Sequence, residues 1–163
     1  MDMQPERAEQ LQAIYRYAEW PPGEEGAAVA QDFELPVNAL DGWVRTRATR
    51  ELARDGRTRQ RSAWIRSPGA VDPALMVELW SCASADDARA LLLALLGDMQ
   101  SPVPASRIAD SAVGDVAFAL GGNSAVLFAR GRIVVRLRNG GRTVVDALPA
   151  ARDIDRVIVG GKR

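Results

Sequence analysis

Asp55-Gly56 is the strongest turn signal in this chain, and it stands in the middle of a stretch, Trp43 to Arg66, with strand-like runs on both sides. Asp-Gly is favoured in the two-residue type I′ turn of a β-hairpin, where both central residues take positive φ. The flanks are rich in Thr, Val, Trp and Ile, which suit a pleated, half-buried surface. A two-residue turn sets the register, so Arg54 faces Arg57, Arg50 faces Arg61, Ala48 faces Ala63 and Thr46 faces Ile65. Val44, Ala48, Ala63 and Ile65 then share the inward face near the base, and the polar tip projects beyond the core. A short helix over Thr49 to Arg54 is the rival reading; the β-branched flanks favour the hairpin.

The rest of the chain follows from periodicity and punctuation. Gln4 to Trp20 reads as a helix with Leu11, Ile14, Tyr15 and Ala18 on one face, stopped by Pro21-Pro22-Gly23. Residues 23–40 read as a linker. Leu75 to Ser81 is a third strand. Ser84 and Asp87 form a capping box with Asp in place of Glu, opening a helix to Asp98 or Met99 whose stripe is Ala88, Leu91, Leu92, Leu95, Leu96 and Met99. Val116 to Val145 reads as a meander with strands at Val116–Leu120, Ala125–Ala129, Ile133–Arg138 and Thr143–Val145. Asp146 caps a last helix reaching about Ile158, with Leu148, Ile154, Val157 and Ile158 on its apolar side, and 160–163 is a tail. The expected class is α+β: an antiparallel sheet, hairpin plus meander, covered on one face by helices, with residues 1–22 as an appended helix and 41–159 as one domain.

Absent residue types narrow the chemistry. The chain has no histidine, which removes Ser-His-Asp and Cys-His catalysis, histidine metal ligands and a histidine pH switch. Its single cysteine, Cys82, removes an intramolecular disulfide and any multi-cysteine metal site. We therefore expect no metal and no cofactor. The longest apolar run, Ala90 to Leu96, is far short of the ~20 residues of a membrane span. The acidic, polar start shows no leader; a cytoplasmic location is the default, and an extracytoplasmic one follows if a leader was removed before Met1.

The net charge is zero, but its layout is not even. Residues 1–41 carry net −7, 45–66 net +6, 67–129 net −5 and 130–163 net +6. Such stripes attract one another within the fold or between copies, which would make a homo-oligomer. Only Lys162 among the 21 basic residues is lysine, so the choice of arginine by itself signals nothing. The expected site is the arginine hairpin. Arg50, Arg54, Arg57, Arg59 and Arg61 share one face in the register above, with Trp64 facing Arg47 on the side opposite Ala63 and Ile65. Guanidinium groups grip carboxylate or phosphate through two parallel bonds, and an exposed Trp–Arg pair makes a binding hot spot. An acidic protein surface is the expected partner. Nucleic acid is less favoured, because only Trp43 and Trp64 interleave the cluster. The bland alternative is a solvated arm whose charges prevent edge pairing, with its tryptophans covered.

Other candidates are weaker. Cys82 precedes the helix cap and has no histidine base, so a buried thiol explains it. Asp110, Asp115, Asp146, Asp153 and Asp155 include no pair held at catalytic separation by spacing. A histidine-independent enzyme using carboxylates and arginine stays open beside the binding module. Gly114-Asp115-Val116-Ala117-Phe118, Val126 to Leu137 and Leu148 to Ile158 together resemble a pattern in small uncharacterised bacterial α+β domains. Those pair Gly-Asp and Phe-Ala-Arg-Gly-Asn-Val-Val-Val with a closing Leu-Ala-Arg-Ala-Ile-Asp helix. Val77-Glu78-Leu79 followed by Asp86-Asp87-Ala88 is also similar. The resemblance covers about half of the chain. It implies turn, strand and helix roles for these residues, often in exported proteins, and carries over no active site.

Overall fold

A tryptophan decides which way the hairpin faces. In the computed structural model, which describes residues 4–22, 33–69, 72–99, 101–109 and 112–160, β1 (Val44–Leu52) pairs antiparallel with β2 (Thr58–Ile65). Arg54, Asp55 and Gly56 form a three-residue loop instead of a two-residue turn. Ala53 N–H donates to Arg57 C=O (2.8 Å), Gly56 N–H donates to Ala53 C=O (3.0 Å), and Gly56 supplies the one positive φ, 86°. The extra residue shifts the register by one, so Arg50 faces Gln60 and Ala48 faces Ser62, and a further slip between Arg45 and Arg47 sets Arg45 opposite Trp64. The β2 side chains therefore change face relative to those of β1, while Ala48 keeps the inward face. Gln60, Ser62 and Trp64 point inward, not Ala63 and Ile65. Trp64 is fully buried, with its Nε1 donating to Ser62 Oγ (2.8 Å). Burying an indole is worth several kcal/mol, about 3–5 by truncation, more than any alternative residue of this strand offers.

Among the described residues seven strands form one antiparallel sheet in the order β1-β2-β3-β7-β6-β5-β4. The remaining strands are β3 (Ala74–Ser81), β4 (Ser106–Arg107), β5 (Val116–Ala119), β6 (Ala125–Arg130) and β7 (Ile133–Asn139). β3 and β7 join the two halves, with Glu78 opposite Arg136 and Trp80 opposite Val134. Thr143–Val145 is not a strand: Thr143 N–H donates to Asp72 Oδ1 (2.9 Å) and Val145 N–H to Asn139 Oδ1 (2.9 Å), which takes up the backbone groups a ladder would have used.

The α+β architecture is as expected, but helices occupy both faces. One core holds Trp80, Phe118, Leu127 and Val134 under α1 (Pro5–Ile14) and α2 (Ala85–Gly97). The other holds Trp64, Val77, Leu79, Phe128 and Val135 under α3 (Leu148–Gly160) and residues 33–40. Neighbouring strand residues divide between the two, as the period of two requires. Leu35, Ala39 and Leu40, read above as the end of a linker, are buried in the second core; residues 23–32 lie outside the described residues. Ser84 caps α2 by accepting from Asp87 N–H (3.0 Å), and Asp87 accepts in return from Ala83 N–H (3.2 Å). α1 is shorter than expected, because Arg16 takes left-handed φ of 54° and a 3-10 turn follows. That break buries Tyr15 and Trp20 beside Phe118 and leaves Ile14 54% exposed.

Candidate functional site

The β1–β2 arm carries seven arginines against Glu51 and Asp55, and its two faces differ. On the face shared with α2, the register builds three cross-strand rows. Thr49, Arg61, Glu78 and Arg136 make one, Glu51, Arg59, Trp80 and Val134 the next, and Arg47, Ala63, Met76 and Arg138 the third. Glu78 is the pivot. Its side chain is only 5% exposed, and it accepts from Arg59 Nη2 and from Arg136 Nε (3.0 Å), with Arg138 Nη2 at 3.8 Å. Burial alone would raise the Glu78 carboxyl, but the bonds from Arg59 and Arg136 outweigh it and hold the group below its usual range. The same two guanidinium groups lie over Trp80, each 5.4 Å from its ring.

Between this face and α2 runs a groove of about 630 Å³. Trp80, Arg59 and Arg136 form its sheet wall, and Leu91, Ala94 and Leu95 its helix wall. At the groove's tip end, Arg57 bonds Asp87 through Nη2 (2.6 Å) and Nε (3.2 Å), and Asp55 through Nη1 (3.0 Å). The bond to Asp87 raises the Arg57 pKa, and the same bond lowers that of Asp87. This ion pair fastens the hairpin tip to the first turn of α2. Two smaller hollows border the arm. One of about 230 Å³ lies beside Arg47, Met76 and Arg138. The other, about 100 Å³, lies on the opposite face beside Arg45, Ala48, Arg50 and Gln60.

The structure separates the expected arginine cluster into three groups. Arg57 and Arg59 are held by internal acids, and Arg61 reaches Glu51 (3.2 Å) at the surface. Arg50 lies on the other face, across from Gln60, so it does not share a face with Arg59 and Arg61. Arg47, Arg50 and Arg54 are exposed and have no ion-pair partner among the described residues. The expected exposed pair of Trp64 and Arg47 does not form. Trp64 is buried on the α3 face with Arg45 5.9 Å from its ring, and Trp43 is covered by Arg66 at 4.5 Å. Glu78, Trp80, Arg136 and Arg138 were not singled out from sequence, because a partnership across some sixty residues leaves no local spacing. The available signals were a charge inside an apolar strand at Glu78, and Arg136 and Arg138 two apart on another.

Elsewhere, several carboxylates accept hydrogen bonds from neighbouring elements. Asp115 and Asp155 meet at Arg130, whose Nε and Nη2 each bond Asp155 at 2.8 Å and whose Nη1 reaches Asp115 at 3.3 Å. Gly114 and Gly131 N–H groups complete the two acceptors at 2.9 and 2.7 Å. Asp146 accepts from Leu148 N–H (2.8 Å) and Asp153 from Asp41 N–H (3.0 Å); Asp110 lies outside the described residues. Cys82 is buried, and burial pushes its thiol up to about 12. Among the described residues no group of acids and cysteine could hold a metal ion, and no helix is long and apolar enough to cross a membrane. Comparison of the chain with protein-family models, with curated proteins and with solved structures finds no match to any of them.

Proposed function

We propose that this chain is a non-enzymatic binding module whose arginine-rich hairpin meets an acidic surface on a partner protein. The observation that carries this reading is the exposure of Arg47, Arg50 and Arg54 without an ion-pair partner among the described residues. The other arginines of the tip and the groove are already committed to acids of the fold. An uncommitted guanidinium gives up little when it meets a carboxylate, and a surplus of one sign steers an oppositely charged partner. A protein partner is favoured over nucleic acid because the neighbouring tryptophans are buried or covered by arginine, which leaves no stacking platform. Binding is favoured over acid–base catalysis because Glu78 and Asp155, the buried carboxylates among the described residues, are both bound by arginine.

The test compares the natural chain with the triple variant Arg47→Glu/Arg50→Glu/Arg54→Glu. Binding of a fluorescent glutamate-rich peptide and of a DNA duplex of the same length is followed by anisotropy over a salt series. The peptide is expected to bind the natural chain and to lose at least about tenfold in affinity with the variant. Equal binding by both chains, or tighter binding of the duplex than of the peptide, overturns the reading.

A further inference from the structure

We infer that the acidic partner binds as an added β-strand along the outer edge of β1, an inference that rests on the acidic-partner reading above. Among the described residues β1 is an end strand of the sheet, paired with β2 alone, and it is nine residues long. The other end strand, β4, has two residues. The described residues leave the outer side of β1 open: eight of its nine residues are exposed, Leu52 to 76%, and no proline interrupts it. Natural sheets seldom leave so long an edge without cover. The ladder shows which backbone groups point outward. Ala53 N–H bonds Arg57 C=O, so the hydrogen-bonded pairs with β2 fall at alternate residues from there. Ala48, Arg50 and Leu52 belong to the other set, and their N–H and C=O groups turn away from β2.

Charge selects the occupant. Arg47 lies on one face of this edge and Arg50 on the other, with Arg54 at the tip and a hollow on each face beside them. A strand added here sends alternate side chains to the two faces, so acidic side chains on either side of it meet a guanidinium. A second copy is disfavoured, because β1 carries Arg45, Arg47 and Arg50 against Glu51 alone and would repel itself. Thr46 limits the footprint. The register slips between Arg45 and Arg47, and Thr46 Oγ1 is turned back to Ala63 C=O (3.2 Å), so regular pairing begins at Arg47.

The test uses Ala48→Pro, which deletes one outward N–H, leaves the charge unchanged and is tolerated on an end strand. Its probe is an eight-residue peptide alternating Glu and Val, labelled for anisotropy, with a second peptide carrying a central proline. Melting and hydrogen exchange are recorded on the full chain. The natural chain is expected to bind the alternating peptide and to gain exchange protection at Ala48, Arg50 and Leu52. Ala48→Pro is expected to lose at least about tenfold in affinity, as is the proline peptide, while melting as the natural chain does. Should Ala48→Pro lower the melting point, the proline peptide and the exchange pattern decide alone. Binding that survives both prolines but fails in the triple glutamate variant leaves the acidic-partner reading standing and overturns strand addition. Absence of peptide binding overturns both. Self-association that Ala48→Pro abolishes assigns the edge to a second copy and also overturns the inference.

Discussion

At the level of single residues, Glu78 carries the most weight. Its carboxylate is buried among three guanidinium groups, and removing its charge leaves Arg59 and Arg136 facing each other across Trp80. Glu78→Gln is expected to cost about 2 kcal/mol in denaturant unfolding, less than a fully buried pair because the arginines keep some solvent. The pH dependence has a definite sign. The folded-state pKa lies below the ordinary 4.5, so the folded chain keeps this charge where the unfolded chain has taken up a proton. The contribution is full above pH 4.5 and is lost as the pH falls through the depressed value. Unfolding measured from pH 7 to pH 3 is expected to show a shallower decline in Glu78→Gln than in the natural chain. Cys82 bears on reactivity. With its thiol raised to about 12 and buried, it is expected to resist a thiol-specific disulfide reagent until the chain is unfolded.

At the level of elements, most strands and helices were legible because their periodicities and turn signals agree. The α2 cap, the β3 strand and three meander strands fall where sequence places them. The hairpin shows where this reasoning stops. Asp55-Gly56 marks the turn correctly, yet Gly56 serves equally well as the positive-φ residue that closes a three-residue loop by donating to Ala53 C=O. Local chemistry does not separate the two loops, and one residue of register decides which arginines share a face. Burial of Trp64 breaks the tie, and that depends on α3 and residues 33–40, far away in sequence. In the Phe-Ala-Arg-Gly stretch, Arg130 and Gly131 clamp Asp115 and Asp155, and Gly114 takes φ of 62° beside them. A Cβ at Gly114 would stand 2.6 Å from Ala129 C=O. Gly114→Ala is expected to destabilise by about 2 kcal/mol or more in thermal melting, whereas Gly56→Ala, open to solvent, costs about 1 kcal/mol.

At the level of the whole molecule, the charge stripes are partly resolved inside one chain. Arg57 of the first basic block holds Asp87 of the second acidic block, and Glu78 of that block holds Arg136 of the second basic block. These contacts join the blocks within one chain, and the arginines of the arm without an ion-pair partner among the described residues are Arg47, Arg50 and Arg54. Sedimentation at low and high salt is expected to give one mass, that of the monomer, at both. This arrangement was not legible in sequence, because block charges say nothing of which residues meet.

The seam between β3 and β7 has a consequence for how the molecule assembles. Neighbouring strands elsewhere along the sheet are joined by short connections, but this pair unites residues 74–81 with 133–139, and α2 and the whole remaining meander lie between them. Each side can zip up from its own bend at little entropic cost, whereas the central junction waits on a long closure. The Glu78 and Arg136 latch sits on that junction. The bond from Arg59 to Glu78 forms within the first half, whereas the bond from Arg136 rewards only the completed sheet.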